Sequence, residues 1–332
     1  MKEFMYALMS INLQLFAELN TNTTLDAGLS VENKTHYDMT LIDEASPNLI
    51  HDQFGQKRPI PKNGGKKIEF RKFASLPKAL TPLTEGITPD GKKLSATAIE
   101  AEVSQYGDYV VMSDILDLTT IDNVVVEATK VCGRQAGLTL DTITRNILHS
   151  GTNVYYAPKA DGTAIESRAT LDNTCKLTVD VVRRVAAILK KNNAPKINGS
   201  YVAIIHPYAA YDLMSDPEWR YPHQYQDTSN IYEGEIGKIA GVRFVETSEA
   251  KIYEGGVFGT LFIAEGAYGT TEITGGGLET VIKQLGSAGT ADPLNQRSSV
   301  GWKATKTAEI LIEAYMIRVE HKSAFSEDVE AN

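Results

Sequence analysis

The sequence predicts an α+β protein assembled around one long helix, with a charged β-ribbon projecting before it and an α/β lobe following it. Three observations carry this. Residues 122–150, DNVVVEATKVCGRQAGLTLDTITRNILHS, contain no proline and repeat apolar side chains every three or four positions at Val125, Ala128, Cys132, Ala136, Leu140, Ile143 and Ile147. Two alternating segments, 66–72 and 97–112, are complementary in charge and are separated by a long Pro- and Gly-containing connection. After residue 176, strand and helix patterns alternate.

Composition bounds the answer. The chain has 332 residues, 42% hydrophobic and 23% charged, enough for a sizeable core and too many for one compact domain without elaboration. Two cysteines, Cys132 and Cys175, exclude a disulfide framework or a cysteine-based zinc site within one chain and suit a reducing cytoplasm. No apolar run reaches the roughly 20 residues that a membrane span needs. The opening MKEFMYALMSINLQLFAELN is interrupted by Asn12 and Gln14 and reads as an amphipathic or flexible arm, not a secretion signal. The string MSINLQLFA from Met9 looks like a start of its own.

Net charge is −9, unevenly spread: residues 53–80 hold eight basic side chains against Glu69 alone, so that segment is +7 and the remainder −16. A basic segment on an acidic body points to nucleic-acid contact or to docking on an acidic surface of another copy, with a solvated loop as the plainer reading. It lacks the aromatic interleaving of a single-strand binder and carries no basic recognition helix.

Taken in order, residues 1–52 read as an arm, with a short helix over 33–44 ended before Pro47. The segment Lys66–Lys72 alternates as a strand, and in 97–112 Ile99, Ala101 and Val103 alternate with Glu100, Glu102 and Ser104. Paired antiparallel, the basic strand lies beside Glu100 and Glu102, each contact worth a few tenths to about 1 kcal/mol. The connection between them far exceeds an ordinary hairpin loop, so the ribbon projects and needs a surface to rest on. In the long helix, Gly133 and Gly137 share a side and invite close approach of another backbone. Residues 155–174 read as a loop. Thr178 caps a helix over 179–191 that is stopped by Pro195, and Tyr201–Ile205 is a strand whose end, His206-Pro207, opens the next helix. Residues 241–246 and 257–263 are further strands, and 302–320 alternates over an unusual length as one returning strand system.

A search for chemistry returns little. The six histidines have no spacing that would put two on one helix face for a metal, and there is no HExxH, GxSxG or GxxxxGK[ST]. His206 at a strand end reads as a helix-capping or buried structural histidine before a catalytic one. Asp212, Asp216 and Glu218 near Trp219 could form a small metal site, but they read first as ordinary surface carboxylates.

The order of elements, arm, projecting ribbon, long helix, α/β lobe and returning strand, resembles the major capsid proteins of tailed bacteriophages, the Hong Kong 97-like capsid fold. Four strings in order carry the likeness: QFGQKRPIPKNGGKKIEFRKFASLPKALTPLTEG from Gln53, IHPYAAYDLMSDPEWR from Ile205, EGEIGKIAGVRFVET from Glu233 and DPLNQRSSVGWKA from Asp292. They are similar to the group named after the coliphage N4 capsid protein, over about 24–319. The resemblance implies an N-terminal arm at 1–52, an E-loop with flanking strands at 53–112, a spine helix and P-domain at 113–175, an A-domain at 176–285 and returning P-domain strands at 286–332.

It further implies a structural protein without cofactor or catalytic role, forming pentamers and hexamers of itself in an icosahedral shell around double-stranded DNA. Assembly would take place in the host cytoplasm with a separate scaffolding protein, a portal and a possible decoration protein. Candidate subunit contacts are Lys66, Lys67, Arg71, Lys72 and Lys78 on the ribbon, Glu100 and Glu102 opposite, Gly133 and Gly137 on the helix, and Arg297 and Trp302 in the returning strand. The ribbon of one copy is expected to lie on the acidic spine-helix region of the next. Lys78, Lys92 or Lys93 with Asn295 could in principle crosslink copies, though nothing singles out such a set. An encapsulin-like compartment enclosing protein, and a two-lobed enzyme using His206 or the acidic group near Trp219, are the alternatives.

Overall fold

The computed structural model describes Thr21–Asn22 and residues 50–73, 76–83, 85–86, 88, 90–120, 124–219, 237–287, 292–327 and 329–332. The helix expected over 33–44 lies outside them. In chain order, β1 (Thr21–Asn22) and β2 (Gln56–Lys57) are short, and β3 (Lys67–Phe73) and β4 (Ala96–Glu102) make the ribbon. Then come β5 (Ser104–Ser113), α1 (Asp114–Thr119) and the long α2 (Val124–Leu148). The lobe that follows runs β6 (Val154–Tyr156), α3 (Val179–Lys191), β7 (Tyr201–Ile205), α4 (Pro207–Ser215), β8 (Lys238–Ile239), β9 (Val242–Glu246), β10 (Ile252–Tyr253), β11 (Val257–Ile263) and β12 (Tyr268–Thr271). Finally, β13 (Glu279–Lys283), β14 (Arg297–Ile310) and β15 (Met316–His321) complete the chain.

Two compact units result. One contains Gly107–Gly133 and Thr280–Lys303 together with β1; the other contains the described residues of Thr40–Tyr106, Arg134–Glu279 and Ala304–Asn332.

The larger unit is built on a sheet ordered β6-β15-β11-β7-β9-β8, with β10 added on β11. Its central strands YVAII and VFGTLFI are buried at every position, the continuous apolar pattern of strands covered on both faces. Helix α3 covers one face by burying Val181, Val182, Val185, Ala186 and Leu189. Thr178 Oγ1 accepts from Val181 N at 3.5 Å, Asp180 sits in the first turn, and Lys190 and Lys191 sit in the last, so both ends agree with the helix dipole. Helix α4 begins as its sequence requires, with Pro207 in the first turn and His206 Nδ1 accepting from Tyr208 N at 3.1 Å.

Three expectations need correction here. Residues 154–156 are not loop but β6, paired parallel with β15, because Val154–Tyr156 meets Arg318–Glu320 in register. The long alternating run 302–320 is not one strand system on one sheet. It breaks after Ile310, where the amides of Leu311 and Ile312 both donate to Ala267 O (2.9 and 3.0 Å) and a 3₁₀ turn at Glu313–Tyr315 hands the chain to a different sheet. The buried stripe of α2 is also not the apolar one expected. Cys132 and Ala136 are buried, but Ala128, Leu140, Ile143 and Ile147 are only half-buried, while Asp141, Thr144 and Arg145 are buried. These polar groups can be enclosed because each finds a partner, as buried polar groups must.

In the smaller unit, Val111 and Met112 of β5 pair in parallel with Thr21 and Asn22. Strands β5 and β14 approach through glycine: a Cβ on Gly107 would lie 2.6 Å from the Trp302 carbonyl, and one on Gly301 2.7 Å from Tyr109 Cβ. The segment leading into β14 is a turn tied by Asp292, whose Oδ2 accepts from Arg297 N at 2.8 Å while its carbonyl accepts from Asn295 N at 3.1 Å.

Candidate assembly surfaces

The ribbon pairs antiparallel from Lys67 opposite Glu102 to Phe73 opposite Ala96. This is the expected pairing. Glu69 falls directly opposite Glu100, a like-charge pair that would be unfavourable. The strand relieves it with cations on the same face: Lys67 Nζ lies 3.5 Å from Glu100, and Arg71 Nε donates to Glu69 at 2.9 Å. The Glu69 contact raises the Arg71 pKa, first by the hydrogen bond and then by charge.

The opposite face anchors the ribbon. Phe70 and Ala101 are buried, and Phe70 lies so close to β12 that a Cβ on Gly269 would be 2.9 Å from its ring. The Arg58 guanidinium lies 5.7 Å from the same ring, within cation–π range. Beyond this foot, the described residues of 74–95 belong to no helix or strand. There Leu76, Leu80, Leu83 and Leu94 are 53%, 81%, 77% and 70% exposed. The charges of this ribbon are legible in the sequence and the role of the leucines is not, because their wide spacing in a Pro/Gly stretch gives no periodic signal.

The other candidate contacts are placed as follows. Lys66 and Lys78 are exposed, and Lys72 pairs with Thr97 in the backbone register. Among the described residues Gly133 has nothing within 4 Å of where a Cβ would stand, so none of them packs its backbone there. Gly137 is half-buried in the same helix, Arg297 is half-buried with Nε 3.9 Å from Asp292, and Trp302 is buried within the chain. The long helix is not the acidic surface expected. Glu127 is taken by Lys130 at 2.9 Å, and Asp141 is buried.

Asp141 belongs to a network that sequence reasoning did not find. Its Oδ2 accepts from His51 Nδ1 at 2.7 Å and its Oδ1 from His51 N at 2.8 Å, while Tyr268 donates its hydroxyl to His51 O at 2.5 Å. Burial raises the Tyr268 pKa. At the end of α2, His149 Nδ1 lies 3.0 Å from Tyr253 Oη, and Arg318 Nη1 donates to the carbonyls of His149 and of Gly151, the latter at 3.0 Å. Arg318 and Arg168 both hold the fully buried Glu320, at 2.9 and 2.6 Å, and Arg168 stacks 3.6 Å over the Tyr253 ring. Burial pushes Tyr253 up to about 12 and holds His149 well below the usual histidine range, reinforced by the nearby His51, Arg318, Arg145 and Lys251. These are cross-links among the residue 51 segment, α2, β10 and β15.

The acidic group near Trp219 is occupied structurally. Asp212 takes Lys176 at 3.3 Å and Ala324 N at 3.0 Å; Asp216 accepts from Val179 N at 3.0 Å and Glu218 N at 2.9 Å; Glu218 pairs with Arg183 at 2.5 Å. Among the described residues no group of three His, Cys, Asp or Glu could hold a metal. No helix among them is long and apolar enough to cross a membrane.

Comparison with known proteins places this geometry. Residues 113–259 match the family model described as phage capsid protein. The capsid structure of the cyanophage P-SCSP1u superimposes with a TM-score of 0.62 at 15% identity, covering 82% of this chain and 87% of that one. The capsid of the Ralstonia phage GP4 does so with a TM-score of 0.60 at 14% identity, covering 81% and 87%. An encapsulin complex from Synechococcus elongatus gives 0.51 at 9% identity, covering 81% and 86%. Comparison with curated protein sequences returned no match. The chain has the Hong Kong 97-like fold of phage capsid proteins, and its residues 113–259 carry the match to the phage capsid protein family.

Proposed function

We propose that this chain is the major capsid protein of a tailed phage or prophage, building an icosahedral shell of pentamers and hexamers around double-stranded DNA. The observation that carries the reading is the ribbon. It is anchored at its foot by Phe70 and exposes four leucines at its far end. Burying one such side chain is worth about 1.5–3 kcal/mol, and a monomer gains nothing from leaving four in water. A shell supplies the missing surface, because each copy meets a neighbour wherever the ribbon projects. The leucines then carry the docking, and Lys66 and Lys78, which have no ion pair among the described residues, set its orientation.

The finer reading is that the chain belongs to the coliphage N4 group and works with a separate scaffolding protein and a portal, assembling in the host cytoplasm. Its role is structural and not catalytic, in keeping with the structural use made of Asp212, Asp216 and Glu218. Changing Leu76, Leu80, Leu83 and Leu94 together to Ser tests the central step: the monomer should stay folded and lose assembly, and shells of normal yield would overturn it. The encapsulin likeness supports a second reading, a compartment that encloses protein. Shells whose content is destroyed by nuclease after opening support the first; shells holding a protein and no nucleic acid support the second.

A further inference from the structure

In the smaller unit, β5 has one edge taken and one open over part of its length. Strand β14 runs along the first, with Gly301 against Tyr109 and Gly107 against Trp302 and Lys303. On the second, β1 pairs in parallel, Thr21 opposite Val111 and Asn22 opposite Met112; among the described residues no strand pairs with this edge at residues 107–110. Two features mark the open stretch. The Tyr109 amide donates to Asp108 Oδ1 at 2.8 Å, so it is satisfied by its own neighbour and not by a strand. Tyr109 itself is 61% exposed. An edge of this kind is a template for another strand.

The sequence supplies a strand at the right place. Immediately before Thr21, residues 11–20 read INLQLFAELN, with an apolar residue at every odd position through Leu19, the period of a strand with one apolar face. We propose that residues 17–20 of the same chain continue β1 along this edge, in the register β1 already sets. Leu19 then stands opposite Tyr109, on the face where Val111 is buried, and Ala17 opposite Gly107. The strand covers 17–22, an ordinary strand length, where β1 alone has two residues. Glu18 falls opposite Asp108, a like-charge pair that the apolar contact of Leu19 with Tyr109 has to outweigh. An edge covered by the chain's own arm cannot pair with the edge of another copy. The inference does not rest on the shell reading, so the pairing belongs to the unassembled chain.

Hydrogen exchange of the unassembled full chain, read by mass spectrometry, tests it. Peptides covering 17–20 and 107–110 should both exchange at least about tenfold more slowly than an unstructured chain. Leu19→Asp should speed exchange in both segments about tenfold and leave β7 and β11 unchanged, which separates loss of the strand from loss of the fold. Glu18→Gln should slow exchange in both, because it removes a like-charge pair that a one-residue slip of register would not create. Protection that rises with protein concentration would assign the strand to a second copy. Unprotected exchange at 17–20, or Leu19→Asp acting on only one of the two segments, would mean that no such pairing exists. Any of these results overturns the proposal.

Discussion

At the scale of the residue, the larger unit encloses polar side chains that find partners in its interior. Asp141 and His51 are both buried and hydrogen-bonded through side chain and backbone. Removing one partner strands the other, so Asp141→Ala should lower the unfolding free energy by about 3–5 kcal/mol, measured by denaturant titration. A second prediction concerns acid. His321 is buried, donates from Nδ1 to Lys322 O at 3.0 Å and accepts at Nε2 from Thr260 Oγ1 at 2.9 Å. Burial lowers its pKa from 6.5 to about 4, despite the opposing pull of Asp212 and Glu320. The unfolded chain therefore binds the proton first. The stabilisation is complete above about pH 6.5 and is lost as pH falls toward about 4, by on the order of 3 kcal/mol for this one residue. His206, lowered to about 4 mainly by burial, adds in the same direction. Denaturant midpoints at pH 7 and pH 4 should show this loss, and it should shrink in His321→Gln. Of these residues only His206 could be read from the sequence, as the helix cap that it is. Asp141 stands on the inward side of a helix where only an apolar residue was expected, and its partner is ninety residues away; pairing at that distance leaves no local pattern.

At the scale of the element, the opposite holds. Helices α3 and α4 and strands β7, β9 and β11 were legible because their signals are local: a cap, a dipole-matched charge at each end, a proline at the first turn, a continuous apolar run. Thr178→Ala should cost about 1 kcal/mol, the worth of an N-cap, by the same titration. The ribbon was legible for its antiparallel pairing, since Lys67–Phe73 and Ala96–Glu102 alternate in step; the division of 97–112 at Val103, with β4 on the ribbon and β5 on another sheet, was not. What could not be read was where alternation changes sheet. Residues 302–320 keep one pattern across the break at 311–315, because both β14 and β15 bury one face and the sequence records burial, not against what. The ribbon also yields a charge-reversal prediction. Lys66 and Lys78 changed together to Glu should leave a folded chain that does not assemble, seen as the loss of shells in sedimentation. Normal shells from that variant would remove charge from the account of docking.

At the scale of the whole molecule, the order of elements was the most informative feature of the sequence. The fold then agreed with phage capsid structures over about four fifths of the chain at identities of 15% or below. The account's central claim is that this chain completes its structure in a closed shell, and negative-stain electron microscopy of the purified, concentrated protein, with sedimentation alongside, tests it most directly. The account predicts closed shells, or the sheets, tubes and rings of five or six from which shells are made. A strictly monomeric protein, unchanged by concentration, crowding agents or co-expression with a scaffolding protein, would contradict it.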